Sequence, residues 1–403
     1  MNTDKGCGQR VRAKRFTCLA NMHHLKHHFL KDEIGRERTV VEIGSVKQMI
    51  WFLSSLERTV KEVARTKDPP WCSGYRGRYA LSPVATRLWH SVRAVQDRAP
   101  KSMVEGRRLN PWLDVGLRLA YQWQPELAFR TARNEALDGS DEVARQGMEE
   151  MFRRIRIECN TKLFRDKVYG DTRSAKESYF RCAKYMLSLL GEHARPLIIR
   201  VDLYYEGDAR DVSDSAAAKK AENKLMRALR ECRIVPNVLR YILKREDGLE
   251  RRIHYHLLVA IDGDKHRDVF HFGELIGKFW IDECVGSPQL ASHFNVWVRR
   301  HELEYSCMGH LHHGDADKLE GLRRAIWYLC EPGAHVLVGE SLGRNLRKGV
   351  MPKGTRSDAR GRPRKLRDSM AIAEAILLAP VPAGPERVVI AADRANGDNS
   401  TRA

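Results

Sequence analysis

The chain has 403 residues, 42 % of them hydrophobic, which is room for two or three domains of roughly 150 residues each with real cores. Lys and Arg number 71 against 52 Asp and Glu, a net charge of +19, which excludes a neutral surface and selects a polyanionic partner, nucleic acid or anionic lipid. No run of about 18 uncharged apolar residues exists, so no membrane span is readable; the best stretch, 370–383, is broken by Glu374, Pro380 and Pro382.

Residues 1–18 are basic but lack the apolar stretch of a secretory signal. Nine cysteines without a Cys-x-x-Cys pair read as free thiols of a reducing cytoplasm. Residues 1–40 are also His-rich. His23, His24, His27 and His28 fall at i, i+1, i+4 and i+5, so pairs could share a helix face. The segment reads as a solvated basic arm, with a metal site as the alternative. Ile43, Val46, Ile50, Leu53, Leu56, Val60 and Val63 form one helical stripe. Pro69-Pro70 and residues 73–77 mark a break. Helical patterns follow at 85–96, 111–123, 142–163 and 172–190, and no strand pattern is readable before residue 195. Residues 1–190 are expected to form a basic, mainly helical region without visible chemistry.

The periodicity changes at Pro196. Ile199, Val201, Leu203 and Tyr205 alternate with Arg200, Asp202 and Tyr204, the pattern of a half-buried strand. Ser213 and Asp214 are N-cap types before a helix over 216–231. Strands are expected at 238–246 and 253–262, around the turn signal Asp247-Gly248. A helix over 269–284 carries Phe272, Leu275, Ile276 and Phe279 on one stripe. A weak strand at 302–311, a helix over 315–330 stopped by Pro332, and a short strand at 334–338 complete the region. The order β-α-β-β-α-β predicts an α+β domain over 191–349, with a ferredoxin-like antiparallel sheet, helices on one face and the other face free for a ligand. Residues 350–403 read as a basic, largely disordered tail.

His254-Tyr255-His256 is the sharpest chemical signal. Residues i and i+2 of a strand share a face, so both imidazoles can meet one divalent metal. A hairpin centred near Glu250 would set Glu246 opposite His254 on that face. Two imidazoles and a carboxylate leave coordination positions open; the alternative is a pair of half-buried strand histidines without metal. His310-Leu311-His312, beside His313, is a rival that reads as a loop cluster able to bind metal or phosphate. On the helix over 315–330, Tyr328 points away from the stripe of Leu319, Leu322, Ile326 and Leu329. Arg324, four residues earlier, shares its face, where a guanidinium can stabilise a phenolate or hold a phosphate. A second-layer tyrosine is the other reading.

The segment from Leu197 to about Gly349 resembles the replication initiators of filamentous phages, the inovirus gene-two-protein type, and prophage proteins of the YagK/YfjJ kind, which are similar to HUH endonucleases. The resemblance rests on Arg200-Val201-Asp202-Leu203, Lys244-Arg245-Glu246, His254-Tyr255-His256-Leu257-Leu258 and Tyr328-Leu329. It implies that His254, His256 and Glu246 hold Mg²⁺ or Mn²⁺. It implies too that Tyr328 attacks a DNA phosphodiester, giving a 5′-phosphotyrosine and a 3′-OH that primes rolling-circle synthesis. The DNA would be single-stranded or locally melted. Apart from the resemblance, residues 1–190 could recognise duplex DNA, recruit a host helicase or mediate self-association. The family often has Tyr-x-x-Lys; here Glu331 takes the fourth place. The lysine's role then passes to Arg324 or Lys348, or nicking is impaired.

Arg360-Gly361-Arg362-Pro363-Arg364-Lys365 looks like an AT-hook, whose arginines can enter the narrow minor groove of A·T-rich duplex. Three functions are therefore carried forward. The first is a cytoplasmic, phage- or prophage-encoded nicking and joining enzyme. The second is a DNA-binding regulator on the same fold with a weakened site. The third is a relaxase or transposase using the same chemistry.

Overall fold

The structure, a computed structural model, describes residues 27–31, 37–41, 45–73, 79–98, 108–122, 142–206, 216–248, 252–331, 336–337, 344–350 and 367–380. The chain divides into a small unit, 1–44 with 382–403, and a large one, 45–381. In the small unit β1 (His27–Lys31) pairs antiparallel with β2 (Glu37–Val41). His27 and His28 therefore lie in a strand and not in the expected helix. His23 and His24 fall outside the described residues.

The large unit opens with α1 (Ser45–Arg65), the hairpin of β3 (Trp71–Ser73) and β4 (Tyr79–Leu81), α2 (Pro83–Arg98), β5 (Arg108–Leu109), α3 (Pro111–Gln122) and α4 (Glu142–Cys159). Leu53, Leu56 and Val60 of α1 join Leu88 and Val92 of α2, Leu113 and Leu117 of α3, and Phe152 and Ile155 of α4 in one buried core. The expected helices are present. The three short strands were invisible because two- and three-residue strands are too brief to show a period of two.

α5 (Lys162–Glu192) starts at the cap Thr161, whose side chain accepts from the Phe164 N–H. Its first turn, at Phe164, packs on the helical core. Its far half, including Tyr179 and Tyr185, is buried beyond that core. The helix crosses residue 190, so the expected boundary between 190 and 191 does not separate two bodies.

The sheet is built from β6 (Leu197–Tyr205), β7 (Val238–Gly248), β8 (Arg252–Ile261) and β9 (Ala291–Asn295), with α6 (Ala216–Arg230) and α7 (Val269–Phe279) in the connections. Ser213 and Asp214 lie outside the described residues. The strand order is β9-β6-β8-β7, all pairs antiparallel. β10 (Gly309–His310) also pairs with β6, and β12 (Leu346–Lys348) extends the far edge on β7. The fourth strand is therefore Ala291–Asn295, not 302–311, of which two residues alone are strand. Gly273 and Gly277 decide this: a Cβ at either would collide with Asn295 or His293, so the bare faces of α7 let β9 lie close. β11 (Val336–Leu337) pairs with β5 rather than with the main sheet.

Odd-numbered residues of β6 and β8, from Leu197 to Tyr205 and Ile253 to Ile261, pack under α6 and α7 with Trp280. The even face is not free, as expected, but covered by α5 and α8 (Ala316–Cys330), on which α9 (Arg367–Leu377) packs. All nine residues of β6 are consequently buried. Ala373 and Leu377 of α9 are buried and the Tyr179 hydroxyl donates to the Leu377 carbonyl, so residues 367–377 are not part of a disordered tail. No helix among the described residues is long and apolar enough to cross a membrane.

Candidate metal centre and nucleophile

The sheet register sets two adjacent rows of three residues on the even face. Tyr204, His254 and Glu246 form one row, and Asp202, His256 and Lys244 the next. Each strand contributes one polar side chain per row because alternate residues share a face. Glu246 lies opposite His254, in the register of a hairpin centred near Glu250.

Glu246 Oε2 is 3.3 Å from His256 Nε2 and 3.6 Å from His254 Nε2. Ligand atoms of these three residues all lie within 4.8 Å of one another, which is the one such group among the described residues. His256 Nδ1–H donates to Asp202 Oδ1 at 2.7 Å. That bond keeps a proton on Nδ1, so that Nε2 offers its lone pair once its own proton is lost, the arrangement a metal-ligating histidine needs. Tyr204 stacks on the His254 ring with centroids 5.8 Å apart. Two imidazoles and a carboxylate fit a divalent cation with open positions.

The electrostatics agree with this fit. Burial opposes a charge on His256, yet the carboxylates of Asp202 and Glu246 outweigh it and push its pKa up to about 9. Burial also opposes ionisation of Glu246, and His256, His254 and Lys244 reverse this, holding it well below the usual carboxylate range. A proton at His256 Nε2 therefore occupies a place whose field favours a cation.

Tyr328 sits in the last turn of α8, 8 % exposed, with its hydroxyl 2.9 Å from His256 Nε2. Asp315 caps the start of α8 by accepting from the Lys318 N–H. Two faces of the helix are buried: Leu322, Ile326 and Leu329 make the expected stripe, and Tyr328 meets His256 of the sheet. Sequence spacing could not show this second buried face, because α5, α9 and the sheet all close on one helix.

Arg324 is not brought to the Tyr328 hydroxyl. It bonds Glu320 and Glu304 and lies 4.4 Å from the Tyr305 ring. The guanidinium that meets the tyrosine belongs to Arg200, 4.9 Å from its ring centroid. Nor does Lys348, on β12, reach Tyr328 in the described contacts; its ammonium lies 4.4 Å from the ring of Tyr185 on α5. Glu331 ends α8, its N–H donating to the Trp327 carbonyl. Lys244, 2 % exposed, donates to the Glu331 carbonyl at 2.6 Å and lies 3.8 Å from Glu246. Burial raises the Glu331 carboxyl, Lys244 lowers it and Glu246 raises it.

The rival histidines lie apart. His310 ends β10, with its carbonyl accepting from Lys318, while His312 Nδ1 accepts from the Gly314 N–H. Arg360, Arg362, Arg364 and Lys365 lie outside the described residues. Spacing within one segment gave no role to Asp202, Arg200 or Lys244, which come from neighbouring strands. Their signal was chemical: charged residues at i and i+2 inside strands otherwise rich in apolar residues.

A histidine pair and a carboxylate on a sheet, faced by a helix tyrosine, make up a candidate metal centre with a phenol hydroxyl beside it. Residues 160–325 match the family model of the YagK/YfjJ C-terminal domain. That stretch runs from just before α5 into α8 and includes Glu246, His254 and His256 but not Tyr328. No curated protein and no solved structure matches the chain.

Proposed function

We propose that this protein nicks and rejoins single-stranded DNA through a 5′-phosphotyrosine, as a phage- or prophage-encoded replication initiator of the HUH kind working in the bacterial cytoplasm. The observation that carries the reading is the Tyr328 hydroxyl, 2.9 Å from the ligand nitrogen of His256. The strand order β9-β6-β8-β7 with β-α-β-β-α-β connection supports the ferredoxin-like architecture of such enzymes.

His254, His256 and Glu246 would hold Mg²⁺ or Mn²⁺, which supplies charge neutralisation at the phosphate when bound. Tyr328 attacks phosphorus and the 3′-oxygen leaves. Asp202 holds the His256 ring, and Lys244 ties the end of α8 to the strand that carries Glu246. The covalent link conserves the bond for rejoining. The net charge of +19 favours retention of a polyanion.

A second reading keeps the fold for DNA binding alone. Glu331 favours it, since a carboxyl near Glu246 crowds a phosphate site with negative charge. The experiment is incubation with single-stranded DNA of the protein's own replicon and Mn²⁺, then a denaturing gel. A slow, protease-sensitive band lost in Tyr328→Phe establishes nicking. Intact binding without adduct, in both Mg²⁺ and Mn²⁺, selects the regulator.

A further inference from the structure

Arg200 lies on β6 two residues before Asp202, on the even face beneath Tyr328. It is 3 % exposed, and two of its nitrogens, Nε and Nη2, have no hydrogen-bond partner among the described residues. Its closest carboxylate is Asp202, with Nε 3.9 Å from Oδ1, too long for a hydrogen bond. That oxygen is already engaged by His256 Nδ1–H. A buried guanidinium with N–H groups that lack acceptors is costly, and such a cost persists where a ligand supplies the acceptors.

The contacts form a ring. Arg200 lies over the Tyr328 face, the Tyr328 hydroxyl meets His256 Nε2, His256 Nδ1 meets Asp202, and Asp202 lies beside Arg200. The charge is thus held one aromatic ring away from the oxygen that would attack. A planar fork of donors matches two oxygens of a phosphate.

We propose that Arg200 is a phosphate-binding catalytic residue, donating Nε–H and Nη2–H to the non-bridging oxygens of the phosphodiester that Tyr328 attacks. The inference rests on the nicking reading for the identity of its ligand. Both donor nitrogens are closed to solvent, so the tyrosine ring shifts on the guanidinium as the phosphate arrives.

The test has two arms. In the first, adduct formation by the full chain and by Arg200→Met is compared on a phosphodiester and on a substrate with a neutral methylphosphonate at the cleaved step. Removing an oxyanion donor costs about 10²–10³-fold. That loss is expected on the phosphodiester, with rates on the methylphosphonate within about threefold of each other. Equal losses on both substrates overturn the proposal and leave nicking intact.

The second arm needs no turnover. The Arg200 Nε–H resonance of the Mn²⁺-free wild-type chain, assigned by its absence in Arg200→Lys, is followed as inorganic phosphate is added. A saturable shift supports the anion site even if no adduct ever forms, in which case the nicking reading alone falls. A resonance that does not move overturns the proposal.

Discussion

Replacing Asp202 by Asn keeps the shape of the side chain and removes its charge. The Asp202 acceptor is 2.7 Å from His256 Nδ1, and the two residues are 0 % and 2 % exposed, so no water replaces the lost interaction. A hydrogen bond to a charged group is worth about 1.5–3 kcal/mol. At about 1.36 kcal/mol per factor of ten, this amounts to about 10- to 150-fold in an equilibrium. Loss of the carboxylate behind a ligating histidine costs about 10- to 100-fold in metal affinity by the general pattern. The two figures agree, and calorimetric titration of Mn²⁺ into Asp202→Asn should show a dissociation constant weaker by 10- to 100-fold, about the range given by that pattern. His256→Ala should bind no Mn²⁺ at this site. The pH dependence follows with a definite sign. In the metal-free protein His256 titrates at about 9 against an ordinary 6.5. Its contribution to stability is complete below about 6.5 and is lost as pH rises through about 9. Asp202→Asn should flatten that slope in urea melts at the two ends of the window. Affinity within about twofold of wild type, with the slope unchanged, would refute the argument that Asp202 holds the ring.

Arg324→Ala should leave adduct formation unchanged and cost at most about 1 kcal/mol, because its guanidinium is taken by Glu304 and Glu320 at the surface; a rate loss beyond tenfold would restore it to the site. Trp280 is fully buried against Tyr205 and Tyr255 and donates to the Tyr204 carbonyl. Trp280→Ala should cost about 3–5 kcal/mol in urea denaturation, and a loss under 1 kcal/mol would show that this cluster is not core. Changing Arg360, Arg362, Arg364 and Lys365 together to Ala should weaken A·T-rich duplex binding and reduce its salt slope by up to about four; an unchanged slope removes these residues from the phosphate contacts. Substitution is the better test than deletion from residue 352, which would also remove the buried Ala373 and Leu377.

Local periodicity determined much of this protein before any coordinates. The helices over 45–122 and the strands at 197–205 and 252–261 follow from residue spacing, since alternation and the 3.6-residue repeat are properties of one segment; the facing of Glu246 with His254 was decided by the hairpin's register. The sheet's fourth strand and the cover on its second face do not follow from spacing. Ala291–Asn295 is too short to advertise itself, and its place is set by two glycines on a different element. Tyr328 was legible as a candidate, but its burial against His256 depends on α5 and α9 closing over α8. Tertiary structure alone chose Arg200 over Arg324, because side chains four apart on a helix share a face yet go to different partners when a surface carboxylate is nearer to one of them. It also chose Asp202, 54 residues from the histidine it holds. Cross-strand pairing sets residues side by side regardless of their distance in the chain, and only the register carries that information.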